Sequence, residues 1–249
     1  MPRVAVFCDA LRGLDMIRSA SAALGAIALL ALLAGCATPV AGSGSAAPTT
    51  DSTEIEVDAA WLDGGRMIGL VTIGSSTCIP TASDVVLRDG GIEVTLAEPE
   101  AETPCTRDMA PRVTLVAVPE GVDPTQSVDI WVTGEGTFGE TELDGASSLI
   151  VGGDTDYLPS AGWTDVDGEF VLLTWGSSSC APVLQDATAA GAEVTLTFQT
   201  PPEDQVCTMD IAPRGLVASV DGIGDDDEVF AILTGGEFDN VRVPIVGSR

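Results

Sequence analysis

The segment Cys105-Thr106-Arg107-Asp108-Met109-Ala110-Pro111-Arg112 returns as Cys207-Thr208-Met209-Asp210-Ile211-Ala212-Pro213-Arg214, each time with a carboxylate four residues ahead of a guanidinium. A guanidinium holds planar anions through two parallel hydrogen bonds, so Asp108, Arg112, Asp210 and Arg214 are candidate structural or ligand-binding pairs. The simpler expectation is an internal Asp–Arg pair in each copy, bracing the turn while proline fixes the backbone. Upstream, Gly74-Ser75-Ser76-Thr77-Cys78-Ile79-Pro80 returns as Gly176-Ser177-Ser178-Ser179-Cys180-Ala181-Pro182. A serine becomes a nucleophile only when a base takes its proton, yet the 249 residues include no His, and all ten basic residues are Arg. Ser-His-Asp and Cys-His centres, Ser-Lys dyads, histidine-ligated zinc and lysine Schiff bases are thereby excluded. Neither copy carries a Gly-x-Ser-x-Gly elbow, so the serines are expected at a strand end entering a loop.

The acids offer other chemistry. Among 38 Asp and Glu some pair always meets the separation that glycoside hydrolysis needs. Asp165-Val166-Asp167-Gly168-Glu169 and Asp225-Asp226-Asp227-Glu228 could give oxygen ligands to calcium. Neither completes the twelve-residue loop with its terminal bidentate Glu, so solvated turns are expected and no metal or cofactor is implied. Trp61 and Trp163 are the better candidates for an exposed carbohydrate platform, with packing at a strand entry the simpler expectation for them, whereas Trp131 and Trp175 sit inside strand patterns and read as core or interface packing.

Residues 1–35 read as targeting. Arg18 precedes an uncharged run of 15 residues, Ala20 to Ala34, too short for a spanning helix of about 20 residues but right for the apolar part of a secretory signal. Asp9 and Asp15 put acid where such a signal is basic, which favours Met16 as the start and leaves Cys8 outside the protein. The run ends in Leu33-Ala34-Gly35-Cys36, which resembles the cleavage site of bacterial lipoprotein precursors. That resemblance implies that Cys36 becomes the first residue after cleavage and carries a diacylglyceryl group, anchoring the chain on the outer face of the cytoplasmic membrane. Several acyl chains, at about 0.8 kcal/mol per buried methylene, make such attachment durable.

Removing residues 1–35 takes away three Arg and two Asp and leaves 7 basic against 36 acidic residues, a formal charge of 7 − 36 = −29. A field of that sign repels phosphates, so nucleic acid is not an expected partner. Residues 36–57 are small and polar, with too little apolar surface to offset the entropy of ordering, and form a tether.

Beyond the tether, the two cysteine motifs and the pair Trp61 and Trp163 repeat at an offset of 102, and Val94-Thr95-Leu96 matches Val194-Thr195-Leu196 at 100. Two copies of one unit follow, 58–152 and 156–249, each of small-domain length. Apolar residues alternate at 92, 94 and 96 and at 192, 194, 196 and 198, which is the period of half-buried strands. Further strands are expected over 67–73, 113–118, 128–133, 170–175, 216–220 and 229–234, separated by turns at Asp63-Gly64-Gly65, Asp89-Gly90-Gly91 and Asp167-Gly168. The fold class is therefore all-β: two tandem antiparallel β-sandwich-like units of five or six strands, with one pseudo-symmetric sheet structure shared by both copies as the other possibility. With Cys36 acylated, four cysteines admit three connectivities. Equivalent positions favour Cys78 with Cys105 and Cys180 with Cys207, so that each unit closes its own loop in an oxidising compartment. A four-thiolate metal site would call for Cys-x-x-Cys knuckles, and none occur.

The repeated unit is also similar to segments of exported lipoproteins of high-GC Gram-positive bacteria, across most of residues 58–249. The resemblance implies a location and no mechanism. The expected function is a membrane-anchored, non-enzymatic envelope protein that binds a small ligand or a partner protein; the alternative is a carboxylate-dependent cell-wall hydrolase or a calcium-dependent binding module.

Overall fold

Strands dominate because the sequence alternates at period two between Gly- and Asp-rich turns. The computed structural model describes residues 52–150, 152–223 and 228–248. A short β1 (Thr53–Glu54) precedes copy one, which comprises β2 (Val57–Leu62), β3 (Met67–Gly74), β4 (Thr81–Arg88), β5 (Gly91–Ala97), β6 (Ala110–Ala117), β7 (Val128–Gly134) and β8 (Thr137–Leu143). Copy two repeats the series as β9 (Ser160–Trp163), β10 (Glu169–Gly176), β11 (Leu184–Ala190), β12 (Glu193–Phe198), β13 (Ala212–Ser219), β14 (Val229–Gly235) and β15 (Phe238–Val246). Seven strands per copy replace the expected five or six. The extra ones include β4 and β11 at sheet edges, where exposed residues blur the alternation. Another is β15, which contains Pro244 and gains its second neighbour, β9, only from Ile245 onward.

Each copy is a sandwich of two sheets. In copy one, β4, β5, β7 and β8 form a large sheet, extended by β1, and β2, β3 and β6 form a small one. The chain leaves β5, crosses to the small sheet as β6 and returns as β7, which is why β5 and β7 lie parallel while the hairpin pairs are antiparallel. Copy two has the same layout, except that β15 also pairs with β9 and joins its sheets edge to edge. The sandwich interior of copy one holds Trp61, Ile68, Leu70, Ile92, Val94, Val116, Ile130 and Val132. That of copy two holds Trp163, Phe170, Leu172, Val194, Leu196, Phe198 and Leu233. Trp61 and Trp163 are thus core residues, 1 % and 5 % exposed, not a surface platform. The Trp61 indole donates to the Asp144 carbonyl at 2.7 Å.

The small sheets bury their second faces against each other. Ala60, Leu62, Val71 and Val113 of copy one pack on Val171 and Leu173 of copy two, so β3 and β10 have apolar neighbours on both sides. Their runs Ile-Gly-Leu-Val and Phe-Val-Leu-Leu carry the signature of that environment, continuous apolarity in place of alternation. Glycine lets the backbones approach: a Cβ on Gly162 would fall 2.3 Å from the Trp61 carbonyl oxygen, and one on Gly69 would fall 2.9 Å from a Val171 methyl.

The copies run in opposite senses across this seam. Val71, Thr72 and Ile73, at one end of copy one, share a cavity with Val166 and Glu169 at the β9–β10 turn of copy two. Reciprocally, the β2–β3 turn reaches the start of β9, where the Asp63 backbone N–H donates to the Ser160 hydroxyl at 2.8 Å. The end of copy one that bears its cysteines therefore lies beside the end of copy two that does not.

Strand register corrects one sequence match. Arg88 opposite Gly91 closes the β4–β5 hairpin and Ala190 opposite Glu193 closes β11–β12. Val94 pairs with Val132 as Leu196 pairs with Leu233. Val94 is thus the counterpart of Leu196, not Val194, and the offset of 102 holds here too. A slip of two residues leaves every side chain on its own face, so the patterning could not detect it.

Candidate functional site

At one end of each sandwich, here called its tip, the β3–β4 and β5–β6 connections (β10–β11 and β12–β13 in copy two) pass between the sheets. The cysteines join these connections as expected, Cys78 to Cys105 and Cys180 to Cys207, with Cα atoms 5.5 and 5.6 Å apart. Cys36 lies outside the described residues, as do Asp225, Asp226 and Asp227.

Around each disulfide the hydroxyls gather on one carboxylate. The Ser76 hydroxyl donates to Asp108 Oδ2 and the Thr106 hydroxyl to Oδ1, both at 2.5 Å, while the Ser76 backbone N–H donates to Oδ1 at 3.2 Å. In copy two Thr208 and the Ser178 N–H hold Asp210 Oδ1 at 2.5 and 3.1 Å. Hydrogen bonds to the charged form, from the Ser76 or Ser178 side chain first and then Thr106 or Thr208, lower the pKa of Asp108 and of Asp210 to about 2. The repeated serines thus tie the two connections together as acceptor-saturating donors.

The two arginines do not pair with these aspartates. Arg112 shares the interior-facing side of β6 with Thr114 and Val116, and its guanidinium plugs the open end of the sandwich. It donates to the Cys78 carbonyl and, at 3.1 Å, to Glu98 Oε1. Arg214, its side chain 6 % exposed, donates to the carbonyls of Cys180 and Trp175, each at 3.0 Å, and to Glu237 Oε1. The expected internal Asp–Arg pair therefore gives way to two separate devices, because each Asp is already occupied by hydroxyls and each Arg by carbonyls and a distant Glu. Gly74 and Gly176 make room for the plug, since a Cβ at either would lie 2.5 or 2.7 Å from the guanidinium carbon.

The counterions were invisible to the repeat. Glu98 ends the β5 side of copy one, where copy two has Thr200. Glu237 stands in the β14–β15 turn, where copy one has Gly136. Moving the carboxylate across the tip leaves a concavity in copy two, 360 Å³ in volume, lined by Pro182, Val183, Gln199, Pro201, Pro202 and Gln205 above the Arg214–Glu237 pair. The copy-one residues at the same offset include Thr81, Ala97, Glu100 and Thr103. Copy two also exposes Val206 (90 %), Met209 and Ile211 on the β12–β13 connection, and Arg107 occupies the place of Met209 in copy one.

A second cluster lies at the seam between the copies. Asp58 and Glu169 border a cavity of 180 Å³ together with Glu56, Ile73 and Val166. Burial raises the Asp58 pKa, helped by the charges of Asp165 and Glu56. Burial likewise raises that of Glu169, with the charge of Asp58 adding and the hydroxyls of Thr164 and Ser219 opposing. The pseudo-symmetric junction is neutralised instead: Asp63 receives Arg66 through two bonds of 3.1 Å and the Thr155 hydroxyl at 2.8 Å. Among the described residues no group of three or more His, Cys, Asp or Glu is arranged to hold a metal ion.

Comparison with protein-family models, curated proteins and solved structures finds no match for this chain.

Proposed function

We propose that this is an exported, lipid-anchored envelope protein whose duplicated body binds a ligand or partner at the copy-two tip and performs no catalysis. The observation that carries the binding assignment is the divergence of two tips built on one plan. Both keep the disulfide, the hydroxyl-held aspartate, the arginine plug and two prolines (Pro80 and Pro99, Pro182 and Pro201), yet the β5–β6 connection of copy one carries exposed Glu98, Glu100 and Glu102 where copy two lines a concavity with Val183, Gln199, Pro202 and Gln205. A volume of 360 Å³ lies within the range of ligand pockets, which are mostly apolar with a few fixed polar groups. Export and anchoring at Cys36 are supported by the order of the leader, and an oxidising compartment suits two structural disulfides.

Two measurements test this reading. Growth with an alkyne-tagged palmitate should label the wild-type protein in the membrane fraction and leave Cys36→Ala unlabelled; unlabelled cytosolic protein with four titratable thiols would overturn it. A photo-crosslinker placed at position 206 in living cells should capture a discrete species, and one at the equivalent position 104 should not.

A second reading draws on Asp58 and Glu169, two carboxylates with raised pKa values beside one cavity, an arrangement that can supply a general acid. It makes the protein a carboxylate-dependent hydrolase of cell-wall material. Turnover by purified protein that Asp58→Asn abolishes would establish it.

A further inference from the structure

We infer that the copy-two tip docks a polypeptide segment that presents a basic side chain flanked by apolar ones. The inference rests on the copy-two tip being the binding end and adds the chemistry of what is bound.

Three observations fix that chemistry. The walls are apolar: Pro182, Val183, Pro201 and Pro202 line the concavity, and Val206, Met209 and Ile211 stand exposed further along the connection that bears Pro201 and Pro202. The contact surface thus exceeds the cavity, as suits a chain that inserts one side chain and lays its neighbours on the rim. The accessible charge is negative. Arg214 is buried, its Nη atoms donate to two carbonyls and Glu237 while its Nε is buried without a partner, and an incoming group meets the exposed Glu237 carboxylate first. Glu237, in the β14–β15 turn, is the exposed member of the pair, with 48 % of its side chain accessible, and Glu203 and Asp204 stand exposed on the β12–β13 connection. A chain of net charge −28 also draws cations from a distance and repels anions.

Position supplies the third observation. Val183 leads directly into β11, the edge strand of its sheet. From Leu184 to Ala190 this edge carries one charged residue, Asp186, and no Lys, Arg or Pro; its guards against added strands are that carboxylate and the register shift against β12 between Leu184 and Asp186, which leave Ala187 to Ala190 open. A segment that seats its basic residue in the concavity toward Glu237 passes Val183 at the start of β11, where its flanking residues can pair with the open edge, a mode in which backbone bonds give affinity and a pocket gives selectivity.

The test uses the full chain carrying Cys36→Ser, labelled with nitrogen-15, and three peptides: Ac-Ala-Val-Arg-Val-Ala-amide and its twins with Gln or Glu in place of the Arg. The arginine peptide should shift the amide resonances of Val183, Gln199, Gln205 and the β11 residues, binding at least tenfold tighter than the glutamate twin and fivefold tighter than the glutamine twin. Met209→Arg, which installs the copy-one residue at an exposed position, should weaken binding at least tenfold without changing the melting temperature. Glu237→Gln should erase the preference for Arg over Gln; if that variant fails to fold, Met209→Arg decides alone. Equal binding of all three peptides at the tip would overturn the basic partner while leaving the tip as the binding end. Shifts confined to other surfaces, or none at millimolar peptide, would overturn both.

Discussion

Replacing Gly162 by alanine drives a methyl into the seam between the copies. The added Cβ would lie 2.3 Å from the Trp61 carbonyl oxygen and 3.1 Å from its nitrogen, where ordinary contacts begin near 3.4 Å. Both groups are backbone, so no side chain can turn aside and the facing sheets must separate by about 1 Å. A gap of that size forfeits a quarter to a half of each van der Waals contact it opens. The contacts at risk are those of Ala60, Leu62, Val71 and Val113 with Val171 and Leu173. Overpacking of this kind costs roughly 1–3 kcal/mol, and the backbone clash puts Gly162→Ala near the top of that range. Urea unfolding followed by tryptophan fluorescence should show the midpoint falling by about 1 M at unchanged slope, and the melting temperature should fall by about 5–10 °C. Gly69→Ala meets only side-chain methyls, of Val171 at 2.9 Å and of Leu62 and Val113 at 3.1 Å, and should cost less. The reasoning fails if Gly162→Ala stays within about 0.5 kcal/mol of wild type, or if Gly69→Ala proves the more damaging of the two.

Other outcomes follow from the same geometry. Converting Cys78 and Cys105 together to alanine reopens a loop of sequence separation 27 and should lower stability by roughly 3–4 kcal/mol in the chain-entropy model, as read by urea unfolding; a neutral result would show that the hydroxyl network alone holds the tip. The carboxylates set the pH profile with two opposite signs. Asp108 and Asp210, held at about 2 in the folded chain, stabilise it fully above the ordinary value near 4, and that stability is lost as pH falls toward 2. Asp58 and Glu169 have raised values, so the folded state binds more protons than the unfolded one from about pH 4 up to those values, and stability declines as pH rises through that window. Urea midpoints measured from pH 2 to 7 should therefore peak on the acid side of neutrality, and Asp58→Asn should raise the value at pH 7 and flatten the upper limb. Gly74→Ala should expel the Arg112 guanidinium from its seat and cost about 1–3 kcal/mol; an unchanged melting temperature would count against the plug.

The fold class was legible because β5 and β12 keep strict alternation and because glycine and aspartate punctuate the hairpins. The disulfide pairing was legible because duplication makes positions equivalent. What escaped was whatever depends on two segments meeting across the molecule. Glu98 and Glu237 perform the same task from different strands, so aligning the copies hides their kinship. The run Phe170-Val171-Leu172-Leu173 announces burial on both faces, yet nothing in it names the other small sheet as the cover. Asp108 and Arg112 sit close enough in sequence to invite an ion pair; the loop instead turns the carboxylate toward Ser76, while the strand carries the guanidinium into the sandwich mouth.

The reversed sense of the two copies also gives the body an address. The described chain begins at Ser52, and β1 runs beside the β7–β8 turn at the copy-one tip, Thr53 opposite Thr137. Everything ahead of it in the sequence therefore joins the body at the copy-one tip. If Cys36 is the point of attachment, 15 residues lie between it and Ser52, a span of at most about 55 Å. On that attachment the copy-one tip would stand nearer the membrane and the copy-two tip farther from it. Two copies set in opposite senses thus give one repeated unit two unlike ends, one where the preceding chain enters and one that carries a concavity.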